Sequence, residues 1–311
     1  MWVPRHRFLK AEAFPRTGSK SAPDGGAVVR PVPAVDARGA VHLALALAQD
    51  GWSGSLVMYR SEDGGTHWSA PAVILQGGAE CGYAMTADIR PESSFRGHVY
   101  LAADMDDALC FARSIDGVSW NGGPYSKPGP LIPGVCCKPE VHVDAHGGVW
   151  IAWLSGAAHS RIVLVHSADG GNTFGEPVTI AEGITGAQNG LAVTALTFST
   201  TRDGVAICVW TDNREKRSRL YWRRSLDHGR TWQGPVGGEP LVPLGTSGQN
   251  EFQPHLIAAA GGEICCAFYE YGPKTPGGPM LVELTMAVSY DRGATFAHRM
   301  VLSQQPWRLA Q

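Results

Sequence analysis

The octapeptide SEDGGTHW at Ser61–Trp68 decides the fold of this chain, because it returns four more times. Copies in full register stand at 167–174 (SADGGNTF), 225–232 (SLDHGRTW) and 289–296 (SYDRGATF), and a copy one residue shorter stands at 114–120 (SIDGVSW). In such a segment the Asp and Ser side chains can bond nearby backbone groups, glycine supplies positive φ, and the aromatic ring can pack between sheets. The repeat therefore predicts one turn that recurs in five equivalent units.

Each copy lies inside the same longer unit. In the third unit, alternating segments at 140–144, 149–153 and 162–166 precede the turn, and a short fourth segment follows it up to Ile180. Segments in which apolar and polar residues alternate, separated by turn residues, predict four antiparallel strands per unit. The five units begin near Val32, Tyr83, Pro139, Leu191 and Pro254. We therefore expect an all-β fold, a β-propeller with five counted four-stranded blades.

The ends of the chain lie outside these five units. Residues 1–27 and 303–311 together are too short for a complete blade, which usually takes about 40–45 residues. We expect a single propeller domain over residues 1–311 in which these two segments close the ring. A six-bladed ring is the alternative.

The composition excludes several classes of protein. Charged residues are 17% of the chain, and 26 basic against 28 acidic residues give a net charge of −2. No overall field would attract nucleic acid or an anionic membrane, so neither is an expected partner. The seven cysteines form no recognisable disulfide framework. With no secretory signal and no apolar run of membrane-spanning length, the sequence predicts a cytoplasmic protein, or a secreted one if a leader was removed, and no cofactor.

The repeated turn has the Asp-box pattern, and on it the chain resembles the sialidase (neuraminidase) superfamily of BNR-repeat β-propellers over about residues 28–302. The resemblance implies a glycoside hydrolase that acts on a glycan or another anionic small molecule at the mouth of the central channel. It also implies that the boxes are structural turns far from the active site. Six blades are usual in the superfamily, against the five counted here.

The order of strands in a blade decides which loops share the channel mouth. The turn between strands one and two lies at the same end as the box, whereas the loop between strands two and three and the link to the next blade lie at the other end. We call that other end the mouth. The links contribute Arg30, Glu80, Cys81, Cys136, Cys137, Gln188, Asn189, Asn250 and Glu251. The loops contribute Asp50, Trp52, Asp104, Asp106, Asp107, His159, Arg161, Asp212, Arg214, Tyr269, Glu270 and Tyr271.

The resemblance implies roles for some of these residues. Sialidases use three arginines to hold a substrate carboxylate, a tyrosine nucleophile activated by a glutamate, and an aspartate as acid/base. The arginines would be Arg30, Arg161 and Arg214. The candidate catalytic residues are Glu80, Glu251, Asp50, Asp104, Tyr269 and Tyr271, with a tyrosine of this set close to one of its glutamates. Further ligand contacts are expected from Trp52, Cys136, Cys137, His159, Gln188 and Asn189.

The sequence leaves other interpretations open. The Arg-Ile-Pro signature of the superfamily is present only as RPVP at 30–33, with the arginine displaced by one position, and AWLS at 152–155 lacks another expected arginine. A non-hydrolytic propeller that binds a ligand or partner, or that catalyses a different reaction, is therefore the alternative. Sulfur atoms at the mouth could bind a soft metal with His159, although buried cysteine is usually an ordinary apolar residue, and no metal is expected. Several of the arginines between 214 and 224 are expected on a solvated edge.

Overall fold

The structure is a computed structural model, and it describes residues 31–48, 54–77, 82–122, 129–134, 136–156, 159–186, 195–241, 249–259, 261–273 and 277–308. The regular elements of these residues are twenty β-strands, which form five four-stranded antiparallel sheets. No helix in these ranges is long and apolar enough to span a membrane.

Each sheet is one blade and follows chain order from its inner to its outer strand. Blade 1 contains β1 (Val32–Val35), β2 (Val41–Ala48), β3 (Gly54–Ser61) and β4 (Ala72–Gly77). Blade 2 contains β5 (Tyr83–Ala87), β6 (Val99–Met105), β7 (Ala108–Ser114) and β8 (Gly129–Pro133). Blade 3 contains β9 (Cys136–Val143), β10 (Val149–Ser155), β11 (Arg161–Ser167) and β12 (Val178–Glu182). Blade 4 contains β13 (Leu196–Thr200), β14 (Ala206–Asp212), β15 (Arg219–Ser225) and β16 (Glu239–Pro240). Blade 5 contains β17 (Asn250–Ala258), β18 (Ile264–Pro273), β19 (Met280–Ser289) and β20 (His298–Val301).

The blades are arranged around their inner strands. β1, β5, β9, β13 and β17 pack against one another in chain order, and a separate apolar core fills each space between consecutive blades. Successive side chains of a strand point to opposite faces of the sheet, so alternate residues of one strand enter different cores. In β6, for example, Leu101 faces blade 1 and Tyr100 faces blade 3. The predicted all-β propeller with five four-stranded blades is confirmed.

The boundaries of the predicted units are close to the observed ones. β1 and β5 begin at the predicted Val32 and Tyr83, whereas β9 and β17 begin three and four residues before the predicted Pro139 and Pro254. The predicted start at Leu191 lies outside the described residues.

Blades 1 and 5 each have one face that no described blade covers. Within the described residues, β1 and β17 lack the close packing that joins the other neighbouring inner strands. Residues 1–30 and 309–311 lie outside the described part, so ring closure by the terminal segments stays a prediction. The described part of the C-terminal segment runs along β19, where Trp307 and Val282 exchange backbone hydrogen bonds.

The five boxes form the same hydrogen bonds. In the fourth box, Ser225 Oγ donates to Asp227 Oδ1 at 2.7 Å and accepts the N–H of Gly229 at 2.8 Å. Asp227 in turn accepts the N–H of Thr231 at 2.9 Å and its hydroxyl at 2.6 Å. Equivalent serine, aspartate and glycine bonds occur in the other four boxes. The turn is therefore held by bonds within its own residues.

The boxes also connect neighbouring blades. A Cβ atom at Gly229 in blade 4 would collide with Trp150 of blade 3, and one at Gly293 in blade 5 would collide with Ile207 of blade 4. Arg113 of blade 2 donates to the carbonyl of Gly170 in the box of blade 3 at 2.8 Å. Each of these boxes is thus seated on the preceding blade.

A second repeated turn at the box end was not recognised in the sequence. In blade 1, Asp36 Oδ1 accepts the N–H groups of Arg38 and Ala40, and Oδ2 lies 3.0 Å from Nε2 of the buried His42. In blade 3, Asp144 accepts two backbone N–H groups and the indole N–H of Trp150 at 2.8 Å. These aspartates join strands one and two, and their role is structural.

Candidate functional site

The mouth is formed by the first residues of the inner strands and by the loops between second and third strands. Six predicted site residues lie outside the described part of the chain: Arg30, Asp50, Trp52, Glu80, Gln188 and Asn189. The others are described: Asp104, Cys136, Cys137, His159, Arg161, Arg214, Glu251, Tyr269 and Tyr271. Their positions decide which of the predicted contacts form.

Glu251 is a carboxyl group at the mouth whose pKa is strongly perturbed. It lies at the start of β17 with 1% of its surface exposed, and its Oε2 accepts the backbone N–H of Leu220 at 3.1 Å. Burial is the main reason that its pKa rises to about 7, and the negative charge of Glu270 acts in the same direction. The Leu220 N–H and the guanidinium of Arg219 oppose the shift. Near neutral pH, this carboxyl group therefore holds a proton about half of the time.

Glu270 faces Glu251 across the sheet, because the two are direct partners in the β17–β18 pairing. It is fully buried, accepts the hydroxyl of Thr285 at 2.6 Å and forms an ion pair with Arg299. Its Oε1 has no hydrogen-bond partner among the described residues. Two carboxyl groups thus share one buried region between blades 4 and 5, and each has its own hydrogen-bond and ion-pair partners.

The loop between β14 and β15 contributes cations to this region. Arg219 is 1% exposed, and its guanidinium lies 4.0 Å from Glu251 and 3.6 Å from Glu215. Ser218 and the start of β17 are joined directly: the N–H of Ser218 donates to Asn250 Oδ1, and the N–H of Glu251 donates to the carbonyl of Ser218. Sequence reasoning missed Arg219 as a neighbour of Glu251, since 32 residues separate the two positions.

The expectation that several of the arginines between 214 and 224 lie on a solvated edge holds for Arg214, which is exposed, and is wrong for two others. Arg219 and Arg223 are both buried. Arg223 donates to backbone carbonyls of residues 180, 232, 233 and 234, so it joins blades 3 and 4. Strand β15 lies between two blades, which explains why its alternate faces are both covered.

The tyrosines do not approach Glu251. Tyr269 is paired with Phe252 and Tyr271 with Asn250, so both side chains lie on the face of blade 5 opposite to Glu251 and Glu270. The Tyr269 ring packs 5.6 Å from Phe252 and 6.1 Å from Trp307. The predicted contact between a tyrosine nucleophile and Glu251 is therefore absent from the described residues.

Asp104 lies near the mouth end of β6, but only 3% of it is exposed. Its backbone N–H donates to the carbonyl of Gly82 at 3.0 Å. The next residues, Asp106 and Asp107, have φ values of 51° and 57° and form an exposed two-residue hairpin. Two consecutive residues with positive φ are typical of the tightest hairpin turn, in which aspartate is tolerated. Asp104 itself is therefore covered, whereas the two loop carboxylates face solvent.

The two described arginines of the predicted triad lie in different settings. Arg214 is fixed: it donates to Asp212 at 2.9 Å through Nε, donates to the carbonyl of Gly237, and lies 4.1 Å above the ring of Tyr221. Arg161 begins β11 in the neighbouring blade and is exposed. A substrate anion could reach Arg161, whereas the guanidinium of Arg214 already has a carboxylate partner.

His159 lies in the loop between β10 and β11, on the mouth side of blade 3. It has a φ of 54°, and its backbone N–H donates to the carbonyl of Gly156 at 3.0 Å. Its Nδ1 is buried with no hydrogen-bond partner in the described ranges. The ring therefore retains capacity to bind a polar group.

The adjacent cysteines are core residues. Cys136 and Cys137 are 3% and 4% exposed, and they belong to the cores on opposite sides of blade 3. The expectation that both sulfur atoms face the channel and bind a ligand is therefore wrong, because consecutive residues of a strand point to opposite faces. No cluster of metal-binding side chains occurs in the described ranges, and Cys81 lies outside them.

Comparisons with known proteins support the architecture. No curated protein sequence matches the chain. Among solved structures, a protein of unknown function from Dyadobacter fermentans has 14% identity and a TM-score of 0.51, over 88% of this chain and 82% of its own. A mutant of NanB sialidase from Streptococcus pneumoniae has 11% identity and a TM-score of 0.53, over 88% and 61%. The leech intramolecular trans-sialidase, complexed with 2,7-anhydro-Neu5Ac, has 13% identity and a TM-score of 0.53, over 90% and 60%.

At these identities the likeness establishes a shared fold. The match covers 61% and 60% of the two sialidase chains. The BNR repeat-like domain family matches residues 12–266, which is most of the chain and includes four of the five boxes. The protein therefore belongs to the BNR repeat-like domain family.

Proposed function

We propose that the chain is a glycan-directed enzyme, a sialidase-like glycoside hydrolase that acts on a glycan or another anionic small molecule at the mouth. The observation that carries this proposal is Glu251, a carboxyl group whose pKa is raised to about 7 beside a second carboxyl group and an arginine. Family membership and the shared propeller fold add support, although a fold by itself does not define a reaction.

Glu251 is suited to the role of general acid. A donor with a pKa near the working pH holds its proton often enough to give it to a leaving group. In the proposed reaction, Glu251 donates this proton to the glycosidic oxygen as the bond from that oxygen to the anomeric carbon breaks. The hydroxyl group of a water molecule joins the anomeric carbon, and the proton that the water loses restores the acid form of Glu251. Glu270 lies opposite Glu251 in the sheet and is the ion-pair partner of Arg299.

Exposed cations of the mouth would hold an anionic group of the substrate. Arg161 is exposed in blade 3, and Arg217 of blade 4 has 30% of its side chain exposed, 3.7 Å from Glu215. A guanidinium can bind a carboxylate through two parallel hydrogen bonds. Arg30 and the candidate acids Asp50 and Glu80, which lie outside the described residues, complete the proposed set.

The test is hydrolysis of a panel of aryl sialosides and other aryl glycosides by the purified chain. Glu251→Gln keeps the shape of the side chain but removes its proton chemistry, so we expect loss of at least about 100-fold in kcat, the usual contribution of a general acid. Glu239→Gln, at an exposed position of β16, is the matched control and should retain activity. Activity that survives Glu251→Gln would show that another group donates the proton.

The second candidate function is binding without hydrolysis. Three carboxyl groups of the described mouth, those of Glu251, Glu270 and Asp104, are at most 3% exposed, and the tyrosines face away from Glu251. A site whose acids are covered can still bind a ligand through its exposed loops. Calorimetric binding of a sialoside with no release of product over the same panel would favour this function over the first.

A further inference from the structure

A groove lies at the box end, between blades 1 and 2 and far along the blades from the mouth. Its volume is about 590 Å³, and its walls include Trp68 from the first box and Trp120 from the second. Met58 and Gly117 also line the groove. The volume is within the range of roughly 300–1,000 Å³ that small-molecule sites have.

The short second box explains why a groove exists at this position. In the third and fifth boxes, the aromatic residue packs edge-on against an aromatic residue of the preceding blade: Phe174 on Phe111 at 5.0 Å, and Phe296 on Trp222 at 5.6 Å. Phe111 and Trp222 each lie three residues before the serine of their own box. The residue at that position in blade 1 is Met58, whose side chain is narrower than an aromatic ring. The second box is also one residue shorter than the others, so less chain covers this junction.

The lining combines aromatic surface with hydrogen-bonding groups. Both tryptophans are partly exposed, so part of each indole is open to a ligand. Arg60 donates to Glu62 through Nη1 at 2.5 Å, whereas its buried Nε has no hydrogen-bond partner among the described residues. Glu62 and Asp63 are exposed, so their carboxylates can accept hydrogen bonds from hydroxyl groups of a ligand. A sugar combines flat C–H faces with hydroxyl groups, which matches indole rings beside such acceptors.

The charges of the groove select among sugars. Glu62 and Asp63 contribute two carboxylates against the single permanent cation of Arg60, which is already paired with Glu62. Asp63 is held as an acceptor by the N–H groups of Thr66 and His67. An additional negative charge on the ligand would be repelled, because the groove has no unpaired permanent cation in its described lining to compensate for it.

We propose that this groove is a binding site for a short neutral oligosaccharide. The groove lies at the opposite end of the propeller from the mouth, and it favours a neutral ligand where the mouth favours an anionic one. Binding in the groove involves no chemical reaction. The indoles of Trp68 and Trp120 stack on sugar rings, and Arg60 with Glu62 and Asp63 binds their hydroxyl groups.

The test uses fluorescence titration and calorimetry with maltotriose, xylotriose and N,N′,N″-triacetylchitotriose as neutral probes, and 3′-sialyllactose as the anionic probe. We expect at least one neutral trisaccharide to change the tryptophan emission and to bind more tightly than 3′-sialyllactose at this groove. Val118→Trp should weaken that binding about tenfold or more, since Val118 lines the groove and is 64% exposed, so a larger side chain fills the groove without loss of a buried contact.

Ile115→Trp is the matched control, because Ile115 belongs to the same box and is 55% exposed but does not line the groove. It should leave the affinity within about twofold, and both variants should keep the melting temperature of the parent. The proposal is overturned if none of the three neutral probes binds, if Val118→Trp leaves binding unchanged, or if 3′-sialyllactose binds the groove as tightly as the neutral probes. None of these readouts depends on hydrolysis, so failure here is distinguishable from failure of the proposed enzyme.

Discussion

The two ends of the propeller are built by different kinds of contact. At the box end, five turns repeat one set of hydrogen bonds, and each bond joins residues no more than four positions apart, as Ser225, Asp227 and Gly229 do. At the mouth, the contacts around Glu251 join residues far apart in the chain: Glu251 with Leu220, and Asn250 with Ser218. The box end is therefore encoded locally, whereas the mouth depends on which two blades become neighbours.

This difference separates fold from function in one molecule. A local turn can be copied five times with little change, because its bonds need only its own residues. A contact between blades occurs once, and it can acquire a perturbed carboxyl group without effect on the other blades. The experiments below ask how strictly the two ends differ.

The largest expected effect is at the mouth. Arg219→Met should lower the free energy of unfolding by about 3–5 kcal/mol, because it leaves the buried Glu251 and the partly buried Glu215 without this cation. Arg217→Met, at a side chain that is 30% exposed, should cost about 1 kcal/mol or less. Urea denaturation of both variants measures the difference. Equal effects would mean that the burial of Arg219 adds nothing to the mouth.

The two ends should respond to pH in opposite directions. Burial raises the pKa of Glu251 from 4.5 to about 7, so its contribution to stability is complete below pH 4.5 and is lost as the pH rises through 7. Glu251→Gln should therefore become more stable relative to the parent over this interval, by up to about 3 kcal/mol at pH 8. The measurement is the urea midpoint of both proteins from pH 4 to pH 8.

The stability contributed by the box carboxylates should depend on pH in the opposite direction, because it is lost as the pH falls. The Thr231 hydroxyl, followed by the Thr231 N–H, lowers the pKa of Asp227 to about 2, so its contribution is complete above pH 3.8 and is lost as the pH falls through 2. The deficit of Asp227→Asn against the parent should shrink over that interval. A deficit that is constant with pH would show that the carboxylate charge does not matter to the turn.

A smaller effect on stability should separate the fourth box, which packs on blade 3, from the first box, which packs on no described blade. Gly229 and Gly65 occupy the same position of their boxes, with φ values of 77° and 91°. At either position, an alanine held at positive φ lowers the free energy of unfolding by about 1 kcal/mol. Gly229→Ala should cost a further 1–3 kcal/mol or so, because its Cβ collides with Trp150, whereas the nearest atom to a Cβ at Gly65 is 3.6 Å away. Equal melting temperatures for the two variants would contradict the seating of box 4 on blade 3.

The smallest effect concerns a bond across the box end. Arg202 in blade 4 forms an ion pair with Glu92 in blade 2 at 2.9 Å, and both side chains are more than 70% exposed. Because water competes for both charges, Arg202→Met should change the free energy of unfolding by less than about 1 kcal/mol, and salt should reduce even that. A thermal melt at low and high salt checks this. A larger loss would mean that the bond restrains blades 2 and 4.

The sequence predicted the parts of the molecule that depend on local patterns. The boxes and the alternating segments were sufficient to predict five four-stranded blades, because turn residues and side-chain alternation depend on only a few neighbouring positions in the sequence. The same alternation, applied to Cys136 and Cys137, would have placed the two sulfur atoms in opposite cores. Applied to Tyr269, Glu270 and Tyr271, it would have separated the tyrosines from Glu270.

What remained beyond prediction depends on how strands and blades are aligned. Glu251 faces Glu270 only because of a pairing register that shifts between Phe252 and His255, where Gln253 has a φ of 50°. Its neighbour Arg219 comes from another blade, and no pattern of spacing links the two. The covered carboxyl of Asp104 likewise reflects the packing of blades 2 and 3 and not a property of its own strand.

The seating of each box on the preceding blade has a consequence for synthesis. On the ribosome the chain emerges from its N-terminus, so Trp150 of blade 3 is synthesised well before Gly229 arrives to cover it. Blade 3 should therefore wait for blade 4 before this aromatic face is protected. A pause in translation between two repeats would leave such a face available to chaperones, or to another nascent chain.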